Sequence, residues 1–204
     1  MPKPLSPSRL EAFSDGVIAV IITIMVLELE VPARGISNLA AIREELPLLL
    51  VYLLSFVQIG IYWVNHHYLT DDLEQVTHGI LWSNLGLLFS LSLVPWATNW
   101  VALRGITPFS IALYSVVCAL SAITWIVLST IICRSTRQPL AGSPVKQVAS
   151  AALYLGAIPI AHLSPIAALG MIAIVAILWL LPPRKVLERT RNIHPPQPPH
   201  SDPR

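Results

Sequence analysis

The chain has 204 residues, of which 54% are hydrophobic and only 12% charged, and its formal net charge is +2. That balance lies outside the range of soluble globular domains and makes lipid the solvent for most of the chain. The charge is too small, and its cations too concentrated near the ends of apolar segments, to build the continuous basic face that nucleic acid requires, so no nucleic-acid partner is expected.

At the N-terminus, Lys3 and Arg9 precede an apolar-or-Thr run from Val17 to Leu27. Glu11 and Asp15 break the basic character that a secretory leader needs, so this run is read as a span and not as a cleaved leader. Stretches of about 20 mostly apolar residues, enough to cross a ~30 Å hydrocarbon core, lie near 13–31, 46–66, 80–101, 109–133, 146–162 and 166–181. Trp82, Trp96, Trp100 and Trp179 sit near the ends of these stretches, where an amphipathic indole prefers the headgroup level. Cys118 and Cys133 share the fourth stretch, where fifteen helical residues set them roughly 22 Å apart. They are too far apart to bridge within that helix and read as small apolar residues.

The last two stretches are joined by Leu163-Ser164-Pro165, a connection short enough to predict a tight helical hairpin. Beyond Pro182 and Pro183 the chain becomes basic and then proline-rich around Pro195, Pro196, Pro198 and Pro199, a composition that packs no core. Residues 1–183 are thus expected to form one six-helix transmembrane domain, and residues 184–204 a disordered tail. Alternating the loops places ten Lys and Arg on the side of both termini, and only Arg34, Arg43 and Arg104 on the other. By the positive-inside rule both termini are cytoplasmic. The fold class expected is an all-α polytopic membrane protein of six helices.

Read as a helix, Phe13 to Val31 carries Gly16, Val20, Thr23, Leu27 and Glu30 at alternating spacings of four and three, a seam running its length. Small residues on such a seam let another helix approach closely, so intramolecular packing is one reading. In the other, copies of this helix meet at a symmetry axis. Val20, Ile24 and Leu27 then form a constriction that filters by steric size and dewetting, with Thr23 as its polar layer. Glu28 and Glu30, at the end opposite the basic N-terminus, would line an outer mouth and concentrate cations there, or serve as ordinary interfacial carboxylates.

An ionisable residue within a span needs a partner, and topology brings Arg9, Asp15, Asn65, His66, His67 and Asn84 to a similar depth. Asp15 points about a quarter turn from the Gly16 seam, toward neighbouring helices. A structural polar network is the favoured reading, with Arg9 or a histidine neutralising Asp15 and both asparagines bonding between helices. A proton relay through Asp15 and His66 is the competing one. His66-His67 with Asp71 and Asp72 has metal-capable ligands, but adjacent histidines point apart and no i, i+4 ligand pair recurs, so no metal or cofactor is expected. No phosphate loop, nucleophile elbow or cysteine cluster supports an enzyme.

The stretch Arg9-Leu-Glu-Ala-Phe13-Ser14-Asp15-Gly16 resembles the RxxxFSD signature of the transmembrane protein 175 family, lysosomal potassium channels and their prokaryotic relatives. Tyr62-Trp63-Val64-Asn65-His66-His67, Trp82-Ser83-Asn84 and Ser92-Leu93-Val94-Pro95 resemble further parts of the same family, so the specific similarity covers the first half of the chain. The single six-helix unit matches the prokaryotic members. The resemblance implies a homotetramer in a prokaryotic cell membrane, four first helices around the pore, and Val20, Ile24 and Leu27 as its apolar constriction, with Thr23 as the matching polar layer. Val20 stands where isoleucine or leucine is common. Arg9, Phe13, Ser14 and Asp15 are by resemblance implicated in holding the helices together.

No TVGYG filter is present, so the expected function is passive permeation of potassium and other monovalent cations with modest selectivity. The alternative is a proton-coupled secondary transporter using Asp15 and His66, although such folds usually show internal repeats and broken helices at mid-membrane. A scaffold recruiting partners through its tail would leave the first helix unexplained.

Overall fold

A computed structural model describes residues 6–29, 38–71, 73–136 and 143–180. The tail from residue 181 onward, Glu30, Arg34, Asp72, Arg137 and the Glu28 side chain lie outside the described residues. The described chain is helical throughout: α1 (Pro7–Ile24), α2 (Asn38–Thr70), α3 (His78–Arg104), α4 (Pro108–Thr136), α5 (Pro144–Leu163) and α6 (Pro165–Leu180).

Proline starts four of the six. Pro7, Pro108, Pro144 and Pro165 each occupy the first helical position, where the missing N–H has no partner to lose and the fixed φ is already helical. Side-chain caps reinforce three starts. Thr77 Oγ1 accepts from Ile80 N (3.3 Å), Thr107 Oγ1 from Ser110 N (3.2 Å) and Ser164 Oγ from Ala167 N (3.2 Å). Gly105, at φ 74°, ends α3 in a conformation that side chains resist, and lets the chain reverse into α4.

The helices outrun the apolar stretches that announce them. α1 begins at Pro7, and α2 begins at Asn38 and continues to Thr70, because Arg43, Glu44 and Glu45 end the apolar run while still favouring helix. At its other end α1 is shorter than expected. It stops at Ile24, tightens to a 3₁₀ turn over Met25–Glu28, and reaches extended backbone at Leu29. No glycine caps this end, and a tightened last turn is how uncapped carbonyls find donors. The seam therefore leaves α-helical geometry before Leu27.

Four helices are long and apolar enough to cross a bilayer, over Pro7–Leu27, Glu45–Thr70, His78–Arg104 and Pro108–Thr136, while α6 is apolar but has 16 described residues. The expected hairpin of α5 and α6 is present, turning at Ser164. α3 and α4 form the centre of the bundle. α1 packs on α3 and α2, α5 on α4, and α6 closes against α4 and α2. In lipid the gain comes from close packing and interhelical hydrogen bonds, and both are visible here. Ala119, Ala122, Ala157, Ala161, Ala168 and Ala176 are buried at the contacts. Ser55 on α2 bonds Thr98 on α3 (2.8 Å) and Tyr114 on α4 (2.7 Å), and Gln58 Nε2 donates to Tyr154 on α5 (3.2 Å). Both cysteines are free thiols.

Candidate functional site

The two faces of α1 have opposite fates. Leu10, Ser14, Ile18, Ile21 and Met25, spaced at four, four, three and four, are buried against the bundle. The other face stays uncovered. Gly16 and Thr23 are exposed, Val20 is 57% exposed, Ile24 41% and Leu27 77%. Within one chain, the seam is not used for packing. Thr23 Oγ1 donates back to Ala19 O (2.9 Å) and Val20 O (3.0 Å), which satisfies its proton and leaves an oxygen on the open face.

α1 is held by its polar first half. Ser14 Oγ donates to Leu10 O (2.8 Å) and accepts from Asn84 Nδ2 on α3 (2.9 Å). The Asn84 carbonyl oxygen accepts from His66 Nε2 on α2 (2.8 Å), so one fully buried amide joins three helices. His66 Nδ1 has no hydrogen-bond partner among the described residues. Beside this node, Trp63 Nε1 donates to Asp15 Oδ1 (2.9 Å) and His67 Nδ1 to Glu11 Oε1 (2.9 Å).

Of the residues expected in a polar network, Ser14, Asp15, His66, His67 and Asn84 lie together at this end of α1, joined by Glu11 and Trp63, which sequence reasoning missed. A signal for them exists. Glu11 and Asp15 are four apart on α1, Trp63 and His67 four apart on α2, and two antiparallel helices pair such positions in crossed order. Three expectations need correction. Arg9 is exposed and forms no ion pair among the described residues, Asn65 donates to Ile61 O within its own helix (2.7 Å), and Phe13 is 53% exposed. Arg9 lies six residues before Asp15, about one and two-thirds turns, and so projects from another side of α1, while Asn65 lines a cavity between α2, α4, α5 and α6; neither reaches the node.

Asp15 and His66 are not hydrogen-bonded to each other; each is committed to a different partner. His66 and His67 likewise diverge, and no group of three metal-capable side chains occurs among the described residues.

The family model described as "Endosomal/lysosomal potassium channel TMEM175" matches residues 9–95, the part that contains α1, the network and most of α3. A protein from Chryseobacterium sp. named a potassium channel is 40% identical over 187 residues, covering 89% of this chain and 96% of its own. The human protein named endosomal/lysosomal proton channel TMEM175 is 36% identical over 101 residues, which is 45% of this chain and 19% of that one. In three dimensions, the crystal structure of a lysosomal potassium-selective channel TMEM175 homolog from Chamaesiphon minutus superposes with a TM-score of 0.72 at 28% identity, covering 86% of this chain and 96% of that chain.

Proposed function

The chain belongs to the TMEM175 family, a family of ion channels and not of enzymes, and from that premise we propose that it is a passive potassium-permeable pore built by four copies of α1 around a common axis. The observation that carries this reading is the uncovered apolar stripe of α1, opposite a face pinned by buried residues and hydrogen bonds. An amphipathic helix exposes an apolar stripe in a membrane protein either to lipid or to a copy of itself. The small Gly16 and the hydroxyl of Thr23 on the stripe favour a copy, since lipid gains nothing from either.

In the assembled pore, Val20, Ile24 and Leu27 form successive apolar rings and Thr23 supplies one ring of hydroxyl oxygens. An apolar ring removes water from an ion without replacing its oxygens, so discrimination comes from width and dehydration and is modest: potassium over sodium, with rubidium and caesium passing. Ser14, Asp15, His66, His67 and Asn84, with Glu11 and Trp63, hold α1 in place and do not touch the ion. Glu28 and Glu30 stand at the outer mouth. Both termini are cytoplasmic, residues 1–183 form the channel domain and 184–204 its tail, and the protein resides in the cell membrane of a prokaryote. The chain is a multi-pass membrane protein with bacterial relatives.

The test is ion flux from potassium-loaded liposomes containing the full chain. Efflux that runs only when a protonophore compensates charge is the expected result. Absent efflux, or efflux that needs an imposed proton gradient, would overturn the reading in favour of a transporter.

A further inference from the structure

On the side of α2 away from α1, the bundle holds a partly enclosed cavity between α2, α4, α5 and α6, with Gln58, Tyr62, Trp125, Tyr154, Ala176 and Trp179 on its wall. It offers about 30 Å³ to the centre of a water-sized sphere. At roughly 10–15 Å³ for each water, that admits two or three waters, and because bonded atoms sit closer together than waters do, a molecule of about three or four heavy atoms.

The polar groups on the wall are mostly engaged. Gln58 donates to Tyr154 (3.2 Å) and accepts from Tyr114 (3.3 Å), and Trp179 Nε1 donates to Ser150 (2.8 Å). Trp125 differs. It is 3% exposed, and its Nε1–H has no acceptor among the described residues. An indole nitrogen only donates, and a buried donor left unmade bears its whole desolvation penalty. An acceptor oxygen lodged in the cavity beside Trp125 would relieve that penalty. Around it, Ile61, Ala122, Val175 and Ala176 present carbon, which suits an occupant with an apolar remainder better than a water needing two to four polar partners.

The cavity also bears on α1. Tyr62 and Asn65 line it, while Trp63, His66 and His67 from the same two turns of α2 hold Asp15, Asn84 and Glu11. Whatever wedges against Tyr62 and Asn65 moves the turns that anchor the first helix. We propose that this cavity is a binding site for short-chain aliphatic alcohols, whose hydroxyl oxygen accepts from Trp125 Nε1–H, and that its occupation alters flux through the pore. The second part rests on the channel reading; the first does not.

Two readouts separate them. In the full chain in detergent, labelled with ¹⁵N-tryptophan, six indole signals are expected and Trp125→Phe identifies one by its loss. Titrated 1-propanol shifts that signal saturably, with smaller shifts at Trp179 on the same wall and Trp63 on the coupled turns, and leaves Trp82, Trp96 and Trp100 in place; Ala176→Leu, which fills the cavity, abolishes the shift. Ala122→Val is a smaller filler should Ala176→Leu not fold. In liposomes, 1-propanol changes potassium flux by on the order of fivefold, the low end of ordinary coupling between two sites. Ala176→Leu removes that response, and 1-octanol, too long for the cavity, acts more weakly. A shift common to all six indoles, or one unchanged in the filled variants, would show that the cavity holds water only and overturn the site. A flux effect that grows from propanol to octanol and survives Ala176→Leu would place the action in the bilayer and overturn the coupling. With no potassium flux under any condition the channel reading fails, and the indole titration still decides the site.

Discussion

Trp63 on α2 donates its indole N–H to the Asp15 carboxylate on α1 at 2.9 Å, making an aromatic side chain the hydrogen-bond partner of the aspartate in the family signature. Trp63→Phe keeps an aromatic ring and removes that donor together with the five-membered part of the indole. Hydrogen bonds to charged groups contribute about 1.5–3 kcal/mol when buried, and this pair is open enough for water to replace part of it, so the expected loss is nearer 1 kcal/mol. In a chain of this length that lowers Tm by about 2–4 °C. Asp15→Asn, which retains an acceptor for the indole, falls by less. Asp15→Ala loses the acceptor and reduces the yield of assembled protein on size exclusion. Thermal unfolding in detergent ranks the three, and an unchanged Tm for Trp63→Phe would remove the contact from the anchoring of α1.

Asn84 is the costlier position. Its amide is fully buried and bonds His66 and Ser14 at once. Asn84→Leu strands His66 Nε2 beside an Nδ1 that already has no hydrogen-bond partner among the described residues. Interhelical hydrogen bonds in membranes average about 0.6 kcal/mol and reach about 1.7, so losing two predicts a fall of roughly 1–3 kcal/mol. Ser14→Ala loses only one, because Ser14 otherwise returns its proton to its own helix. A double-mutant cycle in detergent checks this: the double variant Ser14→Ala/Asn84→Ala is destabilised by less than the two single effects together.

What was legible in the sequence follows from the physics of each signal. Apolar length and loop charge made the six helices and the hairpin at Ser164 readable, because lipid tolerates little else. The common depth of Asp15, His66 and Asn84 followed from topology, and Ser14 entered only through the family signature. Which partner each would choose did not. Arg9 or a histidine was expected at Asp15 on charge, but an exposed guanidinium gains little from a half-buried carboxylate more than a turn away, whereas the Trp63 indole is already held beside it by α2. The end of α1 was misjudged because hydrophobicity persists through Leu27 while the backbone has tightened at Met25, and periodicity is blind to that change.

His67 and Glu11 offer a contrast to the buried node. Their side chains are 53% and 30% exposed, and the bond between them measures 2.9 Å. Pairs of this kind are worth about 0–1 kcal/mol and are screened by salt. His67→Gln is expected to change Tm by no more than about 4 °C, an effect that shrinks further in high salt. A loss as large as that of Asn84→Leu would mean that the pair is buried in the assembled protein, a finding that would itself place this surface at a contact between copies.

Leu27 separates the pore reading from a lipid-facing stripe. At 77% exposure its side chain makes little contact within the chain, so Leu27→Ala should cost less than about 0.5 kcal/mol of stability. If four copies converge, the same change removes a ring of branched carbon from the narrowest path. Lowering the dehydration barrier there by about 1 kcal/mol raises conductance roughly fivefold. Ile21→Ala, on the opposite face and 3% exposed, should do the reverse: a loss of about 2–5 kcal/mol with unit conductance unchanged in whatever assembles. Single-channel recording in planar bilayers, alongside Tm, reads both quantities. A well-assembled Leu27→Ala with wild-type currents would return the stripe to lipid and leave the conduction path to be sought elsewhere in the bundle.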